Sequence, residues 1–121
     1  MNYLRSIRNS LVAGNGGLPC YAMAAPQGTT ADHIVFQIDS IDVTETKDGY
    51  KMQDVNAEVY IYRTNADSAQ TTLQNIRTYL AANGNSSLYL SAWMTNMQTL
   101  FNQDEETIIL IADFTFKIKT T

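Results

Sequence analysis

His33-Ile34-Val35-Phe36-Gln37-Ile38 and Val59-Tyr60-Ile61-Tyr62-Arg63, connected through Asp48-Gly49, decide the fold. The first run extends from His33 to Thr46 and the second from Tyr50 to Arg63. Both are rich in β-branched and aromatic residues, and Asp-Gly favours a two-residue type I′ turn, so a long antiparallel hairpin is expected. With Lys47 opposite Tyr50, Phe36 should face Ile61 and Ile38 should face Val59 on one side of the ribbon. Val35 opposite Tyr62 and Gln37 opposite Tyr60 should lie on the other. Toward the tip, Ile41 and Val43 take the parity of Val35 and Gln37, which calls for a bulge near Asp39-Ser40 or a tip that leaves the body. The tip itself, Thr44-Glu45-Thr46-Lys47-Asp48-Gly49-Tyr50-Lys51-Met52-Gln53, is polar. It is expected to project as an arm toward a neighbouring subunit.

Upstream, Leu4, Ile7, Leu11 and Val12 recur at helical spacing, with Arg5, Arg8 and Asn9 on the other side. A short amphipathic helix over about residues 2–13 follows, stopped by Gly14-Asn15-Gly16-Gly17. Gly14 to Asp32 holds four of the six glycines and both prolines, Pro19 and Pro26, without a sustained period, and reads as one long loop.

Downstream, Asn65 or Asp67 caps a helix whose apolar stripe is Ala69, Leu73, Ile76 and Leu80, with Asn83-Gly84 as its stop. Ser86 to Met94 fits either a helical turn or the start of a strand, and a strand over about residues 93–102 is preferred. In the last run, Thr107 to Lys119, strict alternation puts Ile108, Leu110, Ala112, Phe114, Phe116 and Ile118 on one face. The other face begins with Ile109 and Ile111, apolar residues on the side that water should wet, and these imply a covering partner. The expected fold is α+β: a largely antiparallel four-stranded sheet with a long β-hairpin and two main helices packed on one face.

The chain has 121 residues, 45% of them apolar and 17% charged, with a net charge of −4. That length suits one domain, residues 1–121, and the composition is that of an ordered globular protein. The negative charge and a pI near 4.7 disfavour gripping nucleic acid, although a weakly acidic channel would let DNA slide through. Met1 to Arg8 lacks the apolar core of a signal peptide, and no run is long enough to span a bilayer, so synthesis in the cytoplasm is expected.

Chemistry-bearing motifs are scarce. Cys20 is the sole cysteine, with no histidine near it to activate a nucleophile, and reads as a buried or loop thiol. His33, the single histidine, stands beside Asp32, and neighbours on a strand point to opposite faces, so no relay or chelating set forms. Gly14-Asn15-Gly16-Gly17 lacks the Lys-Ser/Thr of a phosphate loop and reads as a turn. Asp104-Glu105-Glu106 reads as a solvated loop rather than a cation site. Tyr60, Tyr62, Tyr79, Tyr89 and Trp93 could stack on bases, yet only Arg63 lies close to them in sequence, and packing is the better reading. No catalytic residue, metal site or cofactor is assigned, and the chain is not expected to be an enzyme.

Taken in order, Ala25-Pro26-Gln27-Gly28 with His33-Ile34-Val35-Phe36-Gln37, Val59-Tyr60-Ile61-Tyr62 leading into Asp67–Leu80, and Ala112-Asp113-Phe114-Thr115-Phe116 resemble the tail-completion, or tail terminator, proteins of long-tailed bacteriophages. The likeness covers nearly the whole chain. It implies a structural virion protein at the head-proximal end of the tail, forming a six-fold ring that caps the tail tube, stops its polymerisation and joins it to the head. Implied partners are further copies of the chain, the tail-tube protein and a head-completion or neck protein, with DNA only as passing cargo. Subunit contacts are expected at Thr44, Glu45, Lys47, Asp48, Gly49, Tyr50, Met52, Ile109 and Ile111. The alternatives are another neck, head-completion or tail-tube component and, in a different class, a small module binding single-stranded nucleic acid or a ligand through Tyr60 and Tyr62.

Overall fold

The two long runs form the predicted hairpin. In the computed structural model, which describes residues 3–15, 18–23, 32–45, 51–82, 91–102 and 107–120, β2 (His33–Glu45) and β3 (Lys51–Arg63) pair antiparallel along their length. At the base Ile34 faces Ile61, Phe36 faces Val59 and Ile38 faces Ala57, so each partner lies two residues from the predicted one. A shift of two leaves every side chain on its predicted side of the sheet, and only the neighbours change. Between Ile38 and Ser40 the register slips, which is the bulge that the parity of Ile41 and Val43 required. Beyond it Ile41 faces Val55 and Val43 faces Gln53, back on the side of Phe36. The pairing ends with Glu45 opposite Lys51, out of step with Lys47 opposite Tyr50. Residues 46–50, with Asp48-Gly49, lie outside the described residues.

The hairpin is not a two-stranded ribbon over its described length. β5 (Thr107–Thr120) pairs with β3 from Arg63 opposite Ile108 to Lys51 opposite Thr120, so β3 is flanked to its end. The alternation in the last run never breaks, and its ladder therefore continues as far as β3 does.

Two further strands complete the sheet, whose order is β1-β2-β3-β5-β4. β4 (Ser91–Asn102) pairs antiparallel with β5 and forms one edge, two residues longer at its start than predicted. β1 (Cys20–Ala22) pairs parallel with β2 and corrects the four-stranded expectation to a five-stranded mixed sheet. Its three residues sit in the stretch read as loop because a strand so short has no period to detect. It is held by the backbone: Ile34 N–H donates to Pro19 O and Met23 N–H to Phe36 O, both at 2.8 Å.

Both helices lie on the side of Phe36. α2 (Ala66–Ala82) is capped by Asn65, whose Oδ1 accepts from Ser68 N–H at 3.1 Å, an arrangement that contributes about 1 kcal/mol. Its stripe Ala69, Leu73, Ile76 and Leu80 is buried as predicted. α1 (Tyr3–Asn15) buries Ile7 and Leu11 but leaves Val12 exposed. It runs through Gly14, which was read as part of a turn. A Cβ there would stand 3.1 Å from Tyr79 Cβ and 3.3 Å from Ile76 Cα, so the glycine lets the helices approach closely. Beneath them Ile34, Phe36, Val55, Ala57, Val59 and Ile61 join Leu110, Ala112, Phe114, Phe116 and Ile118 in one buried cluster. A fully buried aliphatic or aromatic side chain contributes roughly 1.5–3 kcal/mol, which makes this face the main source of stability.

Candidate interaction surface

The face of the sheet turned away from the helices is covered by no other element among the described residues. Residues paired across an antiparallel ladder share a face, so the register arranges this side in rows. Toward the base, His33, Tyr62, Ile109 and Leu100 form one row, and Val35, Tyr60, Ile111 and Gln98 form the next, with Tyr21 of β1 beside Val35. Gln37, Glu58, Asp113 and Asn96 follow, then Ser40, Asn56, Thr115 and Trp93, then Asp42, Asp54, Lys117 and Ser91. One half is aromatic and aliphatic and the other is acidic.

In the apolar half, His33 stacks on Tyr62 with ring centroids 4.5 Å apart and an interplanar angle of 10°, and Tyr21 lies 6.1 Å from it. His33 is thus buried among aromatics. Its neighbour Asp32 instead pairs with Arg63, Oδ2 to Nε at 2.9 Å, so the two adjacent groups do not form a relay. Ile109 and Ile111 are half-buried and Leu100 is 51% exposed, while Trp93, 43% exposed, stands in the other half, in the row of Asn56 and Thr115. These residues leave apolar surface open on this face.

In the acidic half, the bulge aims Asp39 toward Glu58 and Asp113, and the three carboxylates present oxygens within 4.8 Å of one another. Partial burial, then the charges of Glu58 and Asp113, raise the Asp39 pKa above its ordinary value, while a hydrogen bond from Gln37 opposes the rise. Tyr60 donates its hydroxyl hydrogen to Glu58 Oε1, and chiefly for that reason its pKa is pushed up to about 12. Gln37 Nε2 also donates to Glu58, at 3.1 Å. Asn56 Nδ2 donates to Ser40 Oγ and Asp42 Oδ2, and its own Oδ1 accepts from Thr115. Asp54 Oδ1 and Asp113 Oδ1 are buried and accept no hydrogen bond among the described residues. Buried acceptors of this kind are costly unless something donates to them. The cluster offers acceptors only and suits a cation, either a divalent ion or a guanidinium.

Among the described residues, neither the cysteine nor the one cleft joins a nucleophile to a base. Cys20 is buried, with Sγ 3.5 Å from Leu18 O. A cleft between α2 and β4 is lined by Gln74, Arg77, Thr78, Ala92, Met94 and Phe114, which include neither a histidine nor a carboxylate. No described helix is long and apolar enough to cross a membrane.

Of the predicted contact residues, Ile109 and Ile111 stand on the open face, and Met52, half-buried, shares their side at its far end. Thr44 and Glu45 lie in β2 with their side chains outside the described residues, as do Lys47, Asp48, Gly49 and Tyr50 entirely. Thr44, Glu45 and Met52 therefore sit at the opposite end of the sheet from the two isoleucines. Of the five aromatics weighed as a base platform, Tyr60, Tyr62 and Trp93 share the open face, Tyr79 packs on the core from α2, and Tyr89 lies outside the described residues. Arg63 is on the helix side, where Nη1 donates to Thr72 Oγ1 at 3.0 Å. Asp104-Glu105-Glu106 also lies outside the described residues. Sequence reasoning missed the group of Asp39, Glu58 and Asp113, which stand on three different strands and meet only once the strand order is known.

No protein-family model matches the chain, and no curated protein matches its sequence. Among solved structures, a chain of the virion of a native gene transfer agent particle is similar over 98% of this chain and 92% of that one, with a TM-score of 0.64 and 10% sequence identity. The likeness is one of fold.

Proposed function

We propose that this chain is a structural virion protein, without catalytic activity, that assembles with copies of itself into a ring at the head-proximal end of a phage tail tube. There it caps the tube, ends its polymerisation and joins it to the head. The observation that carries this reading is the open face of the sheet, where Trp93, Leu100, Ile109 and Ile111 keep apolar surface that the described part of the same chain leaves uncovered. The fold likeness to a chain from a virion particle supports it. So does the resemblance of the ordered motifs to tail terminator proteins, from which the six-fold symmetry is taken. The single-strand-binding reading is weakened by the charge on the same face, where Lys117 is the one cation among the described side chains against Asp39, Asp42, Asp54, Glu58 and Asp113.

Light scattering and electron microscopy of the purified protein, alone and with tail tubes, test the proposal. Closed rings, free or seated on tube ends, are the expected result. Monomers under every one of these conditions would remove it. Deleting the gene separates a terminator from a neck component: overlong, headless tails are expected, whereas leaking heads with normal free tails would reassign the chain.

A further inference from the structure

Resting on the ring reading, we infer that the subunit contact is heterologous: the helix layer of one copy, led by α1, lies across the open sheet face of the next. Arg8 of α1 then meets the carboxylates of Asp39, Glu58 and Asp113, and Val12 rests on the row of Tyr60 and Ile111.

The first argument is charge. α1 contains Arg5 and Arg8 and no carboxylate, while the open face carries five described carboxylates against Lys117. A chain with net charge −4 therefore presents a basic helix on one side and an acidic sheet on the other. Two sheet faces pressed together would set like charges in contact, which opposes association. A helix layer against a sheet face pairs opposite charges.

The second argument is spacing. Arg8 and Val12 are one turn apart and both exposed, which places them roughly 6 Å apart on one side of the helix. On the sheet, the row of Glu58 and Asp113 and the row of Tyr60 and Ile111 are separated by two residues along the strands, about 6.8 Å. One helical turn thus spans the boundary between the acidic and apolar halves. Arg8 Nε is already held by Cys20 O at 3.3 Å, so the side chain is anchored without the guanidinium being buried.

The third argument is size. Four long strands at about 4.8 Å and some ten positions at about 3.4 Å give a face of roughly 650 Å², close to the ~800 Å² per partner of a stable interface. A contact between two different surfaces leaves each copy with one of either kind to offer. Such contacts close into a ring when the rotation per step divides a full turn without a rise along the axis, and otherwise run on as a filament.

The test is charge exchange. Arg8 and Asp39 are both exposed, so Asp39→Lys and Arg8→Glu leave the core untouched, and circular dichroism checks that they fold. Each single variant should associate roughly tenfold or more weakly than wild type by light scattering at low salt. The double variant Arg8→Glu/Asp39→Lys should recover assembly. So should an equimolar mixture of the two singles, because alternating copies restore every contact in an even-numbered ring. Wild-type rings indifferent to Arg8→Glu, or a double variant that fails to recover, overturn the placing of the helix layer on the sheet face while the ring itself stands. A wild type that stays monomeric alone and on tube ends overturns both. If a charge reversal unfolds the chain, Arg8→Ala and Asp39→Asn replace it, and association unchanged by either likewise overturns the inference.

Discussion

The two faces of this sheet are built from the same five strands and differ in almost everything else. On the helix side, Phe36, Val59, Ile61, Leu110, Ala112 and Phe114 are all fully buried. On the other side, the residues between them along the same strands are Gln37, Glu58, Tyr60, Tyr62, Ile111 and Asp113, none of which is fully buried. Alternation with period two lets one strand serve two ends, stability on one face and, in the proposed ring, association on the other. The difference teaches where to look for each: the buried face for what holds the chain together, the open face for what it meets.

The largest expected effect comes from truncating the same strand on its two sides. Phe114→Ala should lower stability by about 3–5 kcal/mol, because it removes an aromatic ring and leaves a cavity under α2. Ile111→Ala, three residues away on the open face, should cost the monomer only about 1 kcal/mol, the loss of a half-buried side chain. Chemical denaturation of dilute protein measures both, and equal losses would break the distinction between the faces. A smaller effect tests the helix layer. Gly14→Val should destabilise by about 1–3 kcal/mol, since its side chain would press on Tyr79 and on the Ile76 backbone and push α1 off α2. A stability unchanged or raised in thermal melts would mean that the helices do not approach as closely as described.

The smallest effect belongs to the acidic half. Asp39 has a raised pKa, so its contribution is favourable at acid pH, where it is neutral, and is lost as pH rises through the folded-state pKa. Asp39→Asn should therefore stabilise the monomer slightly at neutral pH, by about 0.3 kcal/mol after solvent screening. It should make no difference at pH values below the ordinary carboxylate range. Denaturation at both pH values sharpens the comparison: a loss of stability at neutral pH would show that the three carboxylates do not repel one another in the free chain.

Much of the architecture was legible in the residues. The stripe Ala69, Leu73, Ile76 and Leu80 announced α2, the alternation from Ile108 to Ile118 announced β5, and the parity slip of Ile41 and Val43 announced the bulge at Asp39. The site was legible only in part. Ile109 and Ile111 stood out as apolar residues on a wet face, whereas Trp93 lay in a stretch of ambiguous period and Leu100 in a strand whose two faces had not been assigned.

By itself the sequence determined the two helices, the paired hairpin strands and the last strand, with the side of each that faces the core, because periodicity is a local property that sterics and burial read over a few residues. Only the tertiary structure decided which strands are neighbours. The order β1-β2-β3-β5-β4, the added strand Cys20–Ala22 and the exact pairing of Phe36 with Val59 depend on ladders that form between segments far apart in the chain. Those same ladders bring Asp39, Glu58 and Asp113 together, since a side chain's position along its strand is written locally but its neighbour across the ladder is chosen by the packing of the whole sheet.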